Sequence, residues 1–212
     1  MFVPPYFKMD DRAAQIGLIR ARPFGLLVTN GPGGLMANPA PFLLDEKAGE
    51  HGVLRAHLAR PTPQWREADA SREALVVFQD VDAYVTPDWY ATKRETGKAV
   101  PTWNYSAVHV YGKLRAIDDR DWLRAFVNEL TDAHEAGRAT PWKVADAPAD
   151  YLEVMLRGIV GIELEITRIE GKAKLSQNRT EADRAGVIAG LRAEGGETGA
   201  RMAAQVEGAS RS

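Results

Sequence analysis

The sequence predicts a mainly β protein, an antiparallel β-barrel with helices attached to it. Predicted strands outnumber predicted helices, and the helices interrupt the strands at irregular intervals, which argues against a parallel βαβ fold. The clearest strand covers residues 159–169, where apolar and polar residues alternate with a period of two.

The N-terminal half begins with a helix over residues 10–22, with Ile16, Leu18 and Ile19 on its apolar side and Pro23 ending it. A glycine-rich turn then joins two strands, because Gly and Asn supply the positive φ that hairpin turns need. The further elements predicted in this half are the strands 24–29, 35–44, 52–57, 74–79 and 83–86 and the helix 62–70.

The C-terminal half contains the best helix in the chain, over residues 118–136, because Trp122, Phe126, Leu130 and Ala133 share one face. The other predicted elements are the helices 87–93, 150–157 and 180–192 and the aromatic and β-branched strand 102–116. We predict one domain over residues 1–195. The small, polar and glycine-rich segment 196–212 predicts a flexible tail.

Composition excludes several classes of protein. The chain has 212 residues, a formal net charge of −2 and no cysteine, so it forms no disulfide, thiolate metal site or cysteine nucleophile. We expect a cytoplasmic protein, because we find no export signal and no run of about 20 apolar residues that could span a membrane. The charge gives no support to DNA binding, although a local basic face stays open.

Familiar catalytic and metal motifs are missing. The four histidines (His51, His57, His109, His134) have no zinc-binding spacing, and there is no Gly-x-Ser-x-Gly elbow. The pair Asp118–Asp119 starts a predicted helix, where capping explains the carboxylates better than paired acid–base catalysis does. We therefore expect no metal site and assign no catalytic residue.

Residues 57–65 (HLARPTPQW) run from the end of a strand into the start of a helix. A helix start offers free backbone N–H groups to an anion, Arg60 can add a bidentate bond to a phosphate, and His57 can add another donor. The alternative is structural: Arg60 covers Trp65, and His57 is an ordinary strand-end histidine.

Two later segments also suggest ligand binding. Between residues 84 and 105, the aromatic residues Trp89, Trp103 and Tyr105 alternate with Thr86 and Asn104, which suits a planar heteroaromatic ligand but also a protein core. Residues 171–179 (GKAKLSQNR) are rich in hydrogen-bond donors. This segment is either a solvated loop or a second anion clamp made by the side chains Lys174, Ser176 and Arg179.

In this order, the three segments resemble those of the PaiB family of FMN-binding proteins. The stretches VPTWNY (100–105) and KLSQNR (174–179) match the family pattern without change. Departures are small: Pro61-Thr62 replaces the usual Ala-Asn, and Thr86 and Asp88 stand where serines are common. The resemblance extends from Phe2 to about Leu191.

The resemblance implies a dimeric split β-barrel with FMN bound between the subunits. It implies two sets of FMN ligands, one at the phosphate (His57, Arg60, Gln64, Lys174, Ser176, Gln177, Arg179) and one beside the ring (Thr86, Trp89, Trp103, Asn104, Tyr105). It also implies a negative transcriptional regulator, which we expect to act as a flavin-dependent or redox-linked sensor. The alternatives are a flavin-dependent oxidoreductase or flavin reductase using NAD(P)H, and a flavin carrier without turnover.

Overall fold

The computed structural model describes residues 1–209. Within them the chain forms seven strands, seven α-helices and three short 3-10 helices (Pro5–Phe7, Pro87–Trp89, Val144–Asp146). The strands are β1 Phe24–Gly31, β2 Gly34–Pro41, β3 Leu43–Asp45, β4 Val53–Ala59, β5 Ala74–Val85, β6 Thr102–Ile117 and β7 Ile159–Lys174. The helices are α1 Arg12–Ala21, α2 Gln64–Glu67, α3 Ala91–Thr96, α4 Arg120–Glu135, α5 Ala149–Arg157, α6 Glu181–Glu194 and α7 Gly196–Gly208.

All seven strands belong to one sheet, in the order β2-β1-β5-β6-β7-β4-β3. β1 pairs antiparallel with β2 and β5, and β4 pairs antiparallel with β3 and β7. The order ends at two different edge strands, so among residues 1–209 the sheet is open rather than closed into a ring. The predicted fold class, a mainly antiparallel β protein with attached helices, is confirmed.

The described residues form two compact units. The first unit contains Met1–Leu18, Gln79–His109 and the chain from Glu170, and the second contains Ile19–Phe78 and Val110–Ile169.

In the second unit, alternation along β4 buries Leu54, Ala56 and Leu58 on one face and leaves His57 half-buried on the other. Helix α4 lies on that other face. Trp122 of α4 sits over Gly161 of β7, where an added Cβ would come within 2.3 Å of the indole ring. A glycine is therefore required beneath the helix.

In the first unit, the core is built around β5, α6 and α7. Buried apolar side chains pack together here: Val85, Tyr90, Leu175, Val187, Leu191, Met202, Ala203 and Val206. Trp89 packs on the glycine face of α6, because an added Cβ at Gly190 would come within 2.2 Å of its ring.

The structure differs from the sequence prediction at the C-terminus. Residues 196–208 form helix α7 where a flexible tail was expected, and Met202, Ala203 and Val206 are fully buried. These residues share one helical face, and Gly199 lets the backbone approach α6, since an added Cβ would lie 2.6 Å from the Leu191 carbonyl oxygen. The last part of the predicted tail, residues 210–212, lies outside the described residues.

Two elements near the predicted site also differ from expectation. Helix α2 is a single turn, Gln64–Glu67, instead of a helix over residues 62–70. Strand β7 continues to Lys174, so the first part of the donor-rich segment 171–179 is strand rather than loop. No helix within residues 1–209 is both long and apolar enough to cross a membrane.

Candidate functional site

Three cations, Lys172, Lys174 and Arg179, gather where β7 ends in the first unit; we call them the cation group. Lys172 and Lys174 lie two residues apart on a strand, so their side chains leave the same face. The Lys172 ammonium lies 5.2 Å from the ring centroid of Tyr105 and donates to the Phe2 carbonyl oxygen at 3.2 Å. These contacts hold a positive charge against an aromatic ring.

Lys174 lies at the centre of the cation group. Its ammonium donates to the hydroxyl of Thr102 and, at 2.9 Å, to the backbone carbonyl of Trp103. Burial lowers the pKa of Lys174, and the neighbouring Lys172 and Arg179 lower it further. All three causes act against the charge on Lys174, so an anion placed here would relieve a repulsion as well as form a bond.

Arg179 stands over the face of a buried tyrosine. Its guanidinium carbon is 4.5 Å from the ring centroid of Tyr90, which is 0% exposed. Burial raises the pKa of Tyr90, while the charge of Arg179 opposes that rise. The stacked ring supports the planar guanidinium from one side and fixes where it can bind.

The turn after β7 is held rigidly by its own polar side chains. Ser176 is buried at φ +63°, a conformation that non-glycine residues rarely adopt. The Asn104 side-chain amide, 1% exposed, donates to the Ser176 hydroxyl at 3.0 Å. Gln177 closes the turn: its side chain accepts from the Leu175 N–H and donates to the Ala173 carbonyl, both at 2.7 Å. The structure thus brings Asn104, Ser176 and Gln177 to the same place as Lys174.

The predicted aromatic residues have different surroundings. Trp103 is 53% exposed and meets Tyr84 edge to face with ring centroids 5.8 Å apart, so it offers a flat apolar surface. Trp89 instead packs on α6, and the hydroxyl of Thr86 accepts from the Asp88 N–H as a helix cap. Trp103 is therefore the most exposed of the predicted aromatic residues, and Lys174 contacts its backbone carbonyl.

Arg60 lies in the second unit and already has an anionic partner. Its guanidinium binds both carboxylate oxygens of Asp118, at 2.6 and 2.9 Å. It also donates to the backbone carbonyls of Arg157 and Ile159. Four of the five N–H donors of a guanidinium are thus in use, and the bond to Asp118 raises the pKa of Arg60 and lowers that of Asp118.

Gln64 and His57 have partners different from those of Arg60. Gln64 is fully buried, and its amide donates to the Leu27 carbonyl at 3.1 Å and accepts from Asn38 at 2.8 Å, which fastens α2 to the β1–β2 hairpin. His57 packs edge to face on Phe126 at 5.9 Å, and burial lowers its pKa. The structure does not bring these three side chains to one common point, and their predicted role as phosphate ligands stays a prediction.

Sequence reasoning missed two residues that matter to this geometry. Lys172 was not among the candidates, although its spacing of two from Lys174 on a strand was a usable signal. The sequence predicts Asp118 as a helix cap, but Asp119 caps α4 by accepting from the Trp122 N–H at 2.7 Å, and Asp118 binds Arg60. No local pattern links Arg60 to a carboxylate 58 positions away.

Comparison with known proteins adds to this geometry. Residues 1–168 match the family model described as "Putative FMN-binding domain". Over 207 residues the chain is 33% identical to protease synthase and sporulation protein PAI 2 of Bacillus subtilis, covering 98% of this chain and 97% of that protein. It is 36% identical over 233 residues to an uncharacterized protein of Emericella nidulans, with 92% and 93% covered.

A solved structure, the FAD and heme binding protein from Mycobacterium smegmatis, shares the fold with a TM-score of 0.56. The two are 19% identical, and the match covers 79% of this chain and 73% of that chain. The predicted resemblance to PaiB and the predicted split-barrel class are both confirmed. All three residues of the cation group lie beyond residues 1–168, the part matched by the family model, but within the first unit.

Proposed function

We propose that this chain, which belongs to the FMN-binding domain family and takes FMN as its cofactor, binds the FMN phosphate at the cation group and acts as a redox-linked regulator. The observation that carries the proposal is that the hydrogen-bond partners of the Lys174 ammonium, the Thr102 hydroxyl and the Trp103 carbonyl, are both neutral. Burial, Lys172 and Arg179 all lower the pKa of Lys174, and a phosphate dianion is the kind of group that such a site favours.

The residues around the cation group have the chemistry that FMN requires. The phosphate needs cations and hydrogen-bond donors, which Lys174 and Arg179 supply. The ring system needs an apolar surface, which Trp103 offers with half of its area exposed. Bound FMN would supply a group that accepts and returns electrons. The protein would bind and orient FMN and exclude water from it.

The rigid turn at residues 175–179 supports the same proposal. A binding site loses less entropy on binding when its donors are already held in place. The Asn104–Ser176 bond and both bonds of Gln177 hold this turn without a ligand. Ser176 in a strained conformation is what one expects where a fold positions donors for binding.

The phosphate site can be tested by comparing two flavins that differ only in the phosphate. Purified protein is titrated with FMN and with riboflavin while the quenching of flavin fluorescence is followed. We expect FMN to bind at least about tenfold more tightly, the scale of one charged hydrogen bond. Equal affinities would mean that the protein does not recognise the phosphate and would overturn this part of the proposal.

The regulatory role rests on the similarity to the Bacillus subtilis protein, whose name refers to protease synthesis and sporulation. The chain itself carries a net charge of −2, so we propose regulation through flavin state and a protein or ligand partner rather than through strong DNA contact. A gel shift on the promoter region of the protein's own gene, over a salt series, tests direct DNA binding. A salt-dependent shift would show DNA contact.

The second candidate is an enzyme, a flavin-dependent oxidoreductase or flavin reductase using NAD(P)H. The half-exposed Trp103 favours it, because an open apolar surface beside a cofactor site can admit a second planar molecule. Rapid mixing of FMN-loaded protein with NADH or NADPH tests it through loss of the flavin absorbance. Fast bleaching favours the enzyme, whereas bleaching no faster than for free FMN favours the regulator.

We also propose that the protein is a cytoplasmic homodimer. The open sheet leaves β2 and β3 as edge strands, and pairing of two subunits is one way to cover such edges. Light scattering after size-exclusion chromatography, with and without FMN, measures the subunit number, and cell fractionation tests the location. A monomer at micromolar concentration in both states would contradict the dimer.

A further inference from the structure

The second unit contains a cavity of about 430 Å³ beside the ring of His57. Its walls come from α4, α5 and the segment between them, and most of the lining side chains are apolar, among them Val127, Val144 and Leu152. The volume lies within the usual range of about 300–1,000 Å³ for small-molecule sites. The cavity lies in a different unit from the cation group and is not used by the proposed function.

The imidazole ring of His57 forms part of the cavity wall. Its Nδ1 is buried and has no hydrogen-bond partner among residues 1–209. Because burial lowers the pKa of His57, the imidazole is neutral near pH 7 and has one nitrogen that donates and one that accepts. A ligand in the cavity can form a neutral hydrogen bond with the imidazole where the ring meets the cavity, in addition to burying its own apolar surface.

The rim of the cavity favours an aromatic ligand without charge. Trp142 and Tyr151 line the cavity and remain 46% and 54% exposed, so they offer flat faces to a ring. Arg124, the cation on the lining, already binds the carboxylate of Glu153. A charged ligand would therefore find no free opposite charge here and would lose its hydration.

We propose that this cavity binds a small uncharged aromatic molecule that carries one hydroxyl or N–H group, with His57 as its hydrogen-bonding partner. The aromatic ring lies among the apolar walls, and the polar group reaches the imidazole. The site makes the protein able to respond to a second small molecule besides its flavin.

The test uses 4-fluorophenol as the probe, with fluorine NMR line width as the signal. The matched variants are Ala147→Trp, which fills the cavity, and Ala145→Trp, which places the same side chain two residues away at an exposed position that does not line it. We expect the full-length protein and Ala145→Trp to broaden the probe signal equally. Ala147→Trp should lower the affinity at least about fivefold, since a filled cavity offers no volume.

A second pair of measurements tests the hydrogen bond and stays informative if Ala147→Trp fails to fold. His57→Phe should weaken binding of 4-fluorophenol about five- to tenfold, the scale of one neutral hydrogen bond, and leave fluorobenzene unchanged because it has no hydroxyl. Equal losses for both probes would overturn the role of His57. Absence of probe broadening by the unmodified protein would overturn the site. If Ala147→Trp abolishes self-association and the unmodified protein does not bind the probe, the proposed site is also overturned. The cavity would then be an interface between copies of the chain.

Discussion

Arg60 and Lys174 are both cations in segments with the sequence character of a phosphate site, but their surroundings differ. Arg60 forms two hydrogen bonds with the carboxylate of Asp118 and also donates to two backbone carbonyls. Lys174 binds a hydroxyl and a carbonyl, which are neutral, and it stands near two further cations. A cation paired with a carboxylate holds structure together, whereas a lysine with neutral partners and cationic neighbours attracts an anion.

The comparison separates two roles that sequence alone cannot distinguish. Arginine next to a strand end is equally suited to a phosphate and to a carboxylate of the same chain. Which of them it meets depends on distant residues, here Asp118. The predictions below test the difference between the two cations, in order of decreasing expected effect.

The largest effect should come from Lys174→Ala. We expect FMN affinity to fall by about 1.5–3 kcal/mol, or roughly ten- to a hundredfold, because a charged hydrogen bond to the phosphate is lost. Riboflavin affinity should stay almost unchanged, since riboflavin has no phosphate. Flavin fluorescence titration measures both.

The control for this variant is Lys113→Ala, which removes a lysine from an exposed position of β6. It changes the net charge of the protein by the same amount and should leave both affinities unchanged. If Lys174→Ala weakens FMN and riboflavin equally, Lys174 supports the ring or the fold and does not bind the phosphate.

The pH dependence of FMN binding should show the lowered pKa of Lys174. Since burial and the neighbouring cations lower this pKa below 10.5, Lys174 loses its charge at a lower pH than a free lysine does. FMN affinity should therefore fall as pH rises from 8 towards 10, where the phosphate stays a dianion throughout. In the ligand-free protein the sign is opposite: stability rises through the same window, because the unfolded chain binds the proton more tightly.

This dependence is measured by titrating FMN at several pH values in the wild-type protein and in Lys174→Ala. The variant should have a flatter curve above pH 8. Equal slopes in the two proteins would assign the titration to another group.

The sequence predicts most of the strands and helices of this chain because their signals are local. Alternation identifies β6 and β7, and a shared apolar face identifies α4. Helix α7 was missed because glycine and alanine dominate it. Its stability comes from close packing on α6 through Gly199 and three buried residues, which no propensity reflects.

The candidate site was predictable where its residues lie close together in sequence. The segment 174–179 supplies Lys174, Ser176 and Arg179, whose role as FMN ligands stays a prediction. The bond between Asn104 and Ser176 spans 72 positions, as does that between Lys174 and Thr102, so both depend on how β6 and β7 are arranged. The unused nitrogen of His57 could not be predicted either, because it depends on the packing of α4 over β4.

A smaller effect is expected from a substitution at the contact between α3 and α6, where Asp183 of α6 binds Thr92 of α3. The carboxylate accepts from the Thr92 N–H at 2.9 Å and from its hydroxyl at 2.7 Å. Burial acts to raise the pKa of Asp183, but the bonds from Thr92 and Thr180 and the charge of Arg179 outweigh it and lower the pKa. This bond is therefore present above the ordinary value of 3.8 and is lost as pH falls through the lowered one.

Thr92→Val removes the hydroxyl and keeps the branched shape, so it should destabilise the protein by about 0.5–1.5 kcal/mol at pH 7. The difference from wild type should shrink below pH 3.8. Urea denaturation at pH 7 and at pH 3 measures both. Thr140→Val, which removes a hydroxyl at an exposed position, is the control, and an equal loss from it would mean that the bond to Asp183 contributes nothing specific.

The smallest effect should come from Asp118→Asn, which removes the charge that balances Arg60. Asp118 is exposed, and exposed ion pairs contribute little to stability, so the melting temperature should hardly change. FMN affinity should also stay within about twofold, because the cation group rather than Arg60 binds the phosphate in our proposal.

Comparing Asp118→Asn with Arg60→Ala distinguishes which of the two cations, Arg60 or Lys174, binds the phosphate. If Arg60 binds the phosphate as the sequence predicts, releasing it from Asp118 should strengthen FMN binding, and Arg60→Ala should weaken it as strongly as Lys174→Ala does. If Arg60 holds the strand end, Arg60→Ala should lower the melting temperature and leave the preference for FMN over riboflavin in place. The preference for FMN over riboflavin depends on the phosphate alone. Measuring it therefore distinguishes the loss of a phosphate-binding side chain from destabilisation of the fold.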